Sequence, residues 1–225
     1  MHIHTMPRNL KGKDFVVGDI HGCFTELEKL LNQIKFDERV DRLFCLGDLC
    51  DRGSESAKVL DWLTKNWVYA VRGNHEQELI NYAAGKNLNS LEKMGATWWA
   101  TMGKSTKAAL IEQFSKLPIA IELHVESQKF GLIHAMCPHA DWNVLKDLLK
   151  GTDKDLYAYS CLWDTSSVTN PFRVRNLDYL LVGHMSQKHA KIYENIVYLD
   201  TGSGYSHGYL TILDTSSMEF HSLPP

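Results

Sequence analysis

The stretch Leu43-Phe44-Cys45-Leu46-Gly47-Asp48-Leu49-Cys50-Asp51-Arg52-Gly53 decides the fold. Four apolar residues in a row fit a strand buried on both faces, as in a parallel sheet. The run stops at a glycine, and two carboxylates and an arginine follow before the next glycine. The pattern repeats on either side. Upstream, Phe15-Val16-Val17 runs into Gly18-Asp19-Ile20-His21-Gly22; downstream, Val68-Tyr69-Ala70-Val71 runs into Arg72-Gly73-Asn74-His75-Glu76. Between the first two strands, Leu27, Leu30, Leu31 and Ile34 are spaced for one face of a helix. Ser54 can cap a second helix carrying Val59, Leu60 and Leu63. A third helix follows through Leu79, Ile80 and Ala83. Strand and helix thus alternate, which predicts parallel strands joined by right-handed crossovers.

The rest of the chain reads differently. Residues 85–116 are expected to be mostly helical, with Trp98 and Trp99 packing inside. Ile119 to Val125 and Phe130 to Ile133 flank Glu126-Ser127-Gln128 as a hairpin. Leu180 to Val182, Ile196 to Leu199 and Tyr209 to Leu213 are further strands, and residues 138–177 are a polar excursion, part helix and part loop. No linker, repeat or low-complexity tract divides the sequence. The expectation is one α/β domain over residues 1–225. It is a mixed β-sandwich flanked by helices, with parallel pairing first and antiparallel pairing later, and with its site at the carboxyl ends of the parallel strands.

Composition narrows the classes. The chain has 225 residues, 44% hydrophobic and 23% charged, with a net charge of −3. That is ordinary for a globular protein. It gives no general attraction to nucleic acid or to anionic membranes, so neither is expected as a partner, and an anionic substrate must be drawn by a local site. No run approaches the roughly 18 apolar residues of a membrane span, and residues 1–14 contain no apolar core of a signal peptide. Cys23, Cys45, Cys50, Cys137 and Cys161 are odd in number and contain no CxxC pair, which favours a reducing compartment. A cytoplasmic location is the expectation.

Ligands bind open α/β sheets beyond the carboxyl ends of the strands, and that edge carries the chemistry here. His134 follows Leu132-Ile133, and His184 follows Val182-Gly183. Five strand ends therefore present Asp19 with His21, Asp48, Asn74, His134 and His184 toward one edge. Any one of these would pass for a turn residue or a packed histidine; together they are hard to explain by turn chemistry. Mixed carboxylate, amide and imidazole donors suit divalent ions of intermediate hardness, with manganese the first expectation and iron or zinc possible. Six ligands exceed what one such ion takes alongside its waters. They suit two ions sharing a carboxylate, an arrangement used for in-line displacement at phosphorus.

The motifs Gly18–Gly22, Gly47–Gly53 and Gly73–Glu76, in this order, resemble the phosphoprotein phosphatase branch of the calcineurin-like metallophosphoesterases. Within it they are most similar to the bacteriophage-type serine/threonine protein phosphatases. Ala70 to Gln77, Leu117-Pro118, His134-Ala135, Gly183-His184 and Asp200-Thr201-Gly202 extend the likeness over nearly the whole chain. The resemblance implies that Asp19 and His21 hold a first metal, that Asp48 bridges, and that Asn74, His134 and His184 complete a second. It implies that Arg52 and Arg72 contact the phosphate or shape its site, that His75 is the general acid, and that Asp51 orients it. The chemistry is coherent in its own right. Water shared by two dications loses a proton near neutral pH and can attack phosphorus directly, while a positioned imidazole protonates the departing alkoxide.

One departure stands out. The phage-type pattern places an arginine close behind the tryptophan of its late insertion, whereas Trp163 here is followed by Asp164-Thr165-Ser166-Ser167. Arg173 and Arg175 are the candidates to supply that phosphate contact. His2, His4, His139, His189, His207 and His221 lie outside the motifs and are read as surface or packing residues. The expected activity is removal of phosphate from phosphoserine and phosphothreonine, with phosphotyrosine also possible, in a phosphoprotein or phosphopeptide. Two alternatives stand beside it: a symmetrical diadenosine tetraphosphate hydrolase, which shares these motifs, and a non-catalytic regulatory module that merely binds metal.

Overall fold

The computed structural model describes residues 2–86, 91–166 and 172–223. Its strands are β1 (Ile3–Met6), β2 (Asp14–Val17), β3 (Arg42–Cys45), β4 (Val68–Ala70), β5 (Ala120–Val125), β6 (Gln128–Ile133), β7 (Tyr179–Val182), β8 (Lys191–Tyr193), β9 (Ile196–Tyr198), β10 (Thr211–Asp214) and β11 (Glu219–Ser222). The α-helices are α1 (Phe24–Gln33), α2 (Val59–Leu63), α3 (Asn74–Ala83), α4 (Trp98–Thr101), α5 (Lys104–Lys116), α6 (Trp142–Leu148) and α7 (Lys154–Trp163).

Two sheets stack face to face. One has the order β11-β10-β2-β3-β4, the other β1-β5-β6-β7-β9-β8. Val16, Phe44 and Leu46 from the first and Leu123, Phe130, Leu132, Leu181 and Val197 from the second share the apolar cluster between them. The opposite face of the first sheet packs under α1, α2, α3 and α5 through Phe15, Leu27, Leu43, Leu79 and Phe114. The outer face of the second packs under α6 and α7 through Ile133, Trp142, Leu145, Leu162 and Leu180. Strands covered on both sides must be apolar at every position, which is why Val16-Val17 and Leu43-Phe44-Cys45 read as unbroken runs.

The first three motif strands are parallel, β2 to β3 and β3 to β4. The later strands differ from expectation. β5 and β6 form the antiparallel hairpin, but β7 runs parallel to both β6 and β9. Between β6 and β7 the chain crosses over through α6 and α7; between β7 and β9 the reason is β8, which the sequence reading did not include. It pairs antiparallel with β9, so the chain reverses twice between β7 and β9 and returns in the original direction. β1 and β11, the first parallel to β5 and the second antiparallel to β10, were likewise not anticipated. Leu91 to Ala96 is a turn rather than helix, and Ser54 does not cap α2, since Ser56–Lys58 form the lead-in as a short 3-10 segment. Residues 87–90 of the expected helical region, and residues 167–171 of the loop after Trp163, lie outside the described residues. Among the described residues no helix is long and apolar enough to cross a membrane.

Candidate metal centre and active site

Two facing sheets deliver their strand ends to one place. Loops after β2, β3 and β4 bring Asp19, His21, Asp48, Asp51, Arg52, Asn74 and His75; loops after β6 and β7 bring His134 and His184. The loops are crowded. A Cβ on Gly47 would lie 2.6 Å from Gly73 Cα, so only glycine lets the β3 and β4 loops meet, and Gly47 itself sits at φ 92°. His21, Asp48, Asp51, Arg52 and His184 all adopt φ between 46° and 73°. Non-glycine residues seldom do so, and such strain collects at functional sites.

Glu76 holds the centre in shape. Its Oε2 accepts from Asp48 N and Gly73 N, both at 2.9 Å, and its Oε1 from Leu49 N at 2.8 Å. It sits at the third position of α3 behind Gly73, the spacing at which a side chain reaches back to the cap. Burial, then the charge of Asp48, pushes its pKa up to about 7.

Asp48 lies between two groups of donors. His21 and His75 gather at Oδ2, with Nε2 atoms at 3.6 Å and 3.7 Å; His134 Nε2 is 3.4 Å from Oδ1. Potential ligand atoms of His21, Asp48 and His75, and of Asp48, His134 and His184, lie within 4.8 Å of one another. Asp19 stands behind the first group, 3.9 Å from His21 Nε2, and accepts the His184 backbone N–H at 3.1 Å. Burial works against a charge on Asp48, yet His134, His75 and His21 together hold it below the usual carboxylate range. Asp19 moves the other way: burial, Asp200 and Asp48 push it well up.

These donors fit a metal site by their protonation. His21 Nδ1 is 2.9 Å from Cys50 O and His134 Nδ1 is 2.8 Å from Leu46 O. A carbonyl only accepts, so each Nδ1 carries the proton and each Nε2 offers a bare lone pair inward. Burial depresses His21 to about 3 and His184 to about 4, which keeps both imidazoles neutral near pH 7. Asn74 Oδ1 lies 2.7 Å from His134 Nε2 and 3.1 Å from His184 Nδ1. With the amide turned over, its nitrogen would donate to the same groups; the oxygen orientation belongs with a cation at their centre.

Beside this cluster His75 Nδ1 is 2.7 Å from Asp51 Oδ2. Burial lowers the His75 pKa, but the charge of Asp48 and then the hydrogen bond to Asp51 outweigh it, and the net shift is upward. The Arg52 guanidinium reaches both His21 Nε2 and His75 Nε2, the latter at 3.2 Å. It stacks over the Tyr205 ring with its Cζ 4.6 Å from the centroid.

The remaining arginines go elsewhere. Arg72 donates to the carbonyls of Phe114, Ser115 and Leu117 and to Gln77 Oε1, so its guanidinium caps the end of α5 rather than entering the cluster. Arg175 bonds Asp141 Oδ2 at 3.1 Å. Its neighbour Val174 donates to Asn195 Oδ1, which places this segment at the starting ends of β7 and β9, the edge opposite His184. Arg173, exposed and one residue earlier, enters from that same edge. Neither is brought to the cluster. Reading the sequence also left Glu76 without a role and gave Trp98 to packing. The capping spacing could have signalled Glu76. Nothing local marks Trp98, whose indole Nε1 donates to Asp51 Oδ1 at 2.7 Å.

Comparison with known proteins agrees with this architecture. The family model described as calcineurin-like phosphoesterase matches residues 15–188, and the chain belongs to that family. It is a metal-dependent phosphoester hydrolase by class. It is 31% identical over 202 residues to "Serine/threonine-protein phosphatase 1" of Salmonella typhimurium strain LT2, covering 88% of this chain and 89% of that one. It is 25% identical over 233 residues to the asymmetrical "Bis(5'-nucleosyl)-tetraphosphatase PrpE" of Geobacillus sp. strain WCH70, covering 93% of each. In three dimensions it superposes on a protein serine/threonine phosphatase of Saccharomyces cerevisiae with a TM-score of 0.70 at 16% identity, covering 100% of this chain and 84% of that one.

Proposed function

We propose that the protein removes phosphate from phosphoserine and phosphothreonine in protein substrates at a two-metal site, in one step and without a phosphorylated enzyme. The observation that carries this reading is the meeting of two donor groups at the single carboxylate of Asp48, with the Asp51–His75 pair alongside. Asp19 and His21 with Asp48 would hold one divalent ion, manganese first among the candidates, and Asp48, Asn74, His134 and His184 the other. Such ions supply charge neutralisation for the phosphoryl group and lower the pKa of water.

The side chains do the rest. Arg52, over the cluster, donates to phosphate oxygens. His75 delivers the proton on Nε2 to the departing oxygen, while Asp51 holds Nδ1–H and favours the charged ring. Open depressions lie on both sides. One of about 540 Å³ is lined by Gly22, Ser54, Glu55, Gly204 and Tyr205. The other, of about 390 Å³, runs to Trp163, whose ring centroid is 6.3 Å from that of His184. An extended peptide crossing the cluster would occupy both.

The rival is a bis(5'-nucleosyl)-tetraphosphatase, favoured by the full-length likeness to such an enzyme. Manganese-loaded protein offered a phosphoserine peptide and diadenosine tetraphosphate side by side separates the two. A kcat/KM higher for the peptide is expected; a preference for the dinucleotide overturns the protein-phosphatase reading and leaves phosphoester hydrolysis in place. Hydrolysis of neither, with metal bound, would leave only a metal-binding module.

A further inference from the structure

Trp98 touches the acid–base pair through one atom. Its Nε1–H donates to Asp51 Oδ1 at 2.7 Å, and the other oxygen of the same carboxylate is 2.7 Å from His75 Nδ1. Asp51 is fully buried, so its two oxygens are held by two ring N–H groups rather than by bulk water. The turn beneath it is strained: Asp51 and Arg52 are consecutive non-glycine residues at φ 73° and 63°. The segment carrying Trp98 braces that turn at a second point, where Arg52 N donates to Gly95 O at 3.0 Å. The indole is itself steadied, edge-on to Trp99 with centroids 5.7 Å apart, and Trp99 belongs to the core under the first sheet.

We propose that Trp98 is a positioning residue for proton delivery, fixing the plane of the Asp51 carboxylate and through it the direction of His75 Nε2. The proposal rests on the general-acid reading of His75 and extends it by one residue. A carboxylate held by the imidazole alone can rotate about its last bond and carry the ring with it. A second charge-assisted hydrogen bond at right reach removes that freedom. Removing the indole donor leaves a buried carboxylate oxygen unpaired, and small misplacements of a catalytic group are costly. The consequence is confined to the step that needs the proton. An alkyl phosphoserine leaving group needs it, and a nitrophenolate needs it little.

Trp98→Phe keeps a ring and loses the donor; benzothienylalanine at position 98 keeps the whole bicyclic shape and replaces N–H by sulfur. Each is compared with the wild type in single turnover on a phosphoserine peptide and on p-nitrophenyl phosphate, with manganese content measured. His75→Asn serves as the comparator. The expected result is a loss of about tenfold on the peptide, the scale of one hydrogen bond to a charged group, with less than about twofold on the aryl ester and unchanged metal. Equal losses on both esters, or none, in the benzothienyl variant overturn the proposal. If His75→Asn loses the peptide selectively while the position-98 variants do not, the acid reading stands and the role of Trp98 falls. If His75→Asn shows no selectivity, the acid reading fails first and takes the inference with it.

Discussion

His21, Asp48, Asp51, Arg52 and His184 share left-handed backbone, and each such residue costs on the order of 1–2 kcal/mol. The cost is met locally, by hydrogen bonds that leave no freedom to relax. Glu76 pins the amides of Asp48, Leu49 and Gly73, and Asp19 takes the amide of His184. The tolerance for added atoms is correspondingly small. A Cβ on Gly183 would collide with Asp19 Oδ1, and Asp19 is buried at 3% exposure with nowhere to swing. Gly183→Ala is therefore expected to lose bound manganese and at least about tenfold in activity, while the fold persists. Metal analysis after gel filtration checks this; wild-type metal content would mean that Asp19 can move without consequence and is no ligand. At this scale the sequence carried the residue types of the cluster, because carboxylate, amide and imidazole at five strand ends together are hard to explain as plain turns, although any one of them alone would pass for one. It did not carry Trp98, since an indole donor looks the same in a core as against a carboxylate.

The elements explain why the arginines diverge. Arg72 and Arg52 both follow motif strands, so position alone gives them one role. What separates them is α5, whose last carbonyls arrive beside Arg72 from more than forty residues away. The end of a helix leaves carbonyls to be satisfied, and Arg72 takes those of Phe114, Ser115 and Leu117. Arg72→Ala should thus lower stability by about 1–3 kcal/mol and leave KM for p-nitrophenyl phosphate unchanged, since Arg72 lines only the outlying depression that runs to Trp163. Arg52→Ala should leave the melting temperature nearly unchanged and lower kcat/KM by roughly ten- to a hundredfold, about 1.4–2.7 kcal/mol. Kinetics and thermal melts of the two variants decide it, and a raised KM for Arg72→Ala would return that residue to the substrate.

The second sheet holds its helix by a charge. Glu122 on β5 is buried and accepts from Trp142 Nε1 and Lys146 Nζ of α6, each at 2.7 Å. Burial would raise its pKa, but the hydrogen bonds from Lys146 and Trp142 outweigh that and the net shift is downward. A depressed folded pKa gives stability that is present above the unfolded value, about 4.3, and is lost as pH falls through the folded value. Glu122→Gln should cost about 1.5–3 kcal/mol at pH 6, a gap that narrows as pH falls below the unfolded value of about 4.3. Urea unfolding of both proteins across that range tests it; a constant gap would show that the carboxylate carries no charge in the fold.

Over the whole molecule, the parallel half was readable because each strand and its crossover helix announce themselves by an apolar run and then a period near 3.6. The later half was readable in part: the β5–β6 hairpin showed itself, but the direction of β9 depends on β8, an exposed three-residue strand with no apolar run to mark it. The same architecture sets a thermodynamic consequence. Asp19, His21, Asp48 and Asn74 come from the sheet containing β2, β3 and β4, whereas His134 and His184 follow β6 and β7 of the other. Ions bound among them would tie the carboxyl edges of the two sheets together, and unfolding would have to release them. A ligand that binds only the folded state stabilises it by about 2.7 kcal/mol when present at a hundred times its Kd. In a chain of this size that corresponds to roughly 5–10 °C in melting temperature. Saturating Mn²⁺ should raise the melting temperature of chelator-treated protein by about this much, and Asp48→Asn, which removes the shared carboxylate, should abolish most of the rise. Calorimetric melts with and without the ion measure both. A wild-type melting temperature indifferent to Mn²⁺, or an Asp48→Asn variant that responds as fully as the wild type, would mean that the two sheets are not joined through these residues, and the two-ion reading built on Asp48 would fall.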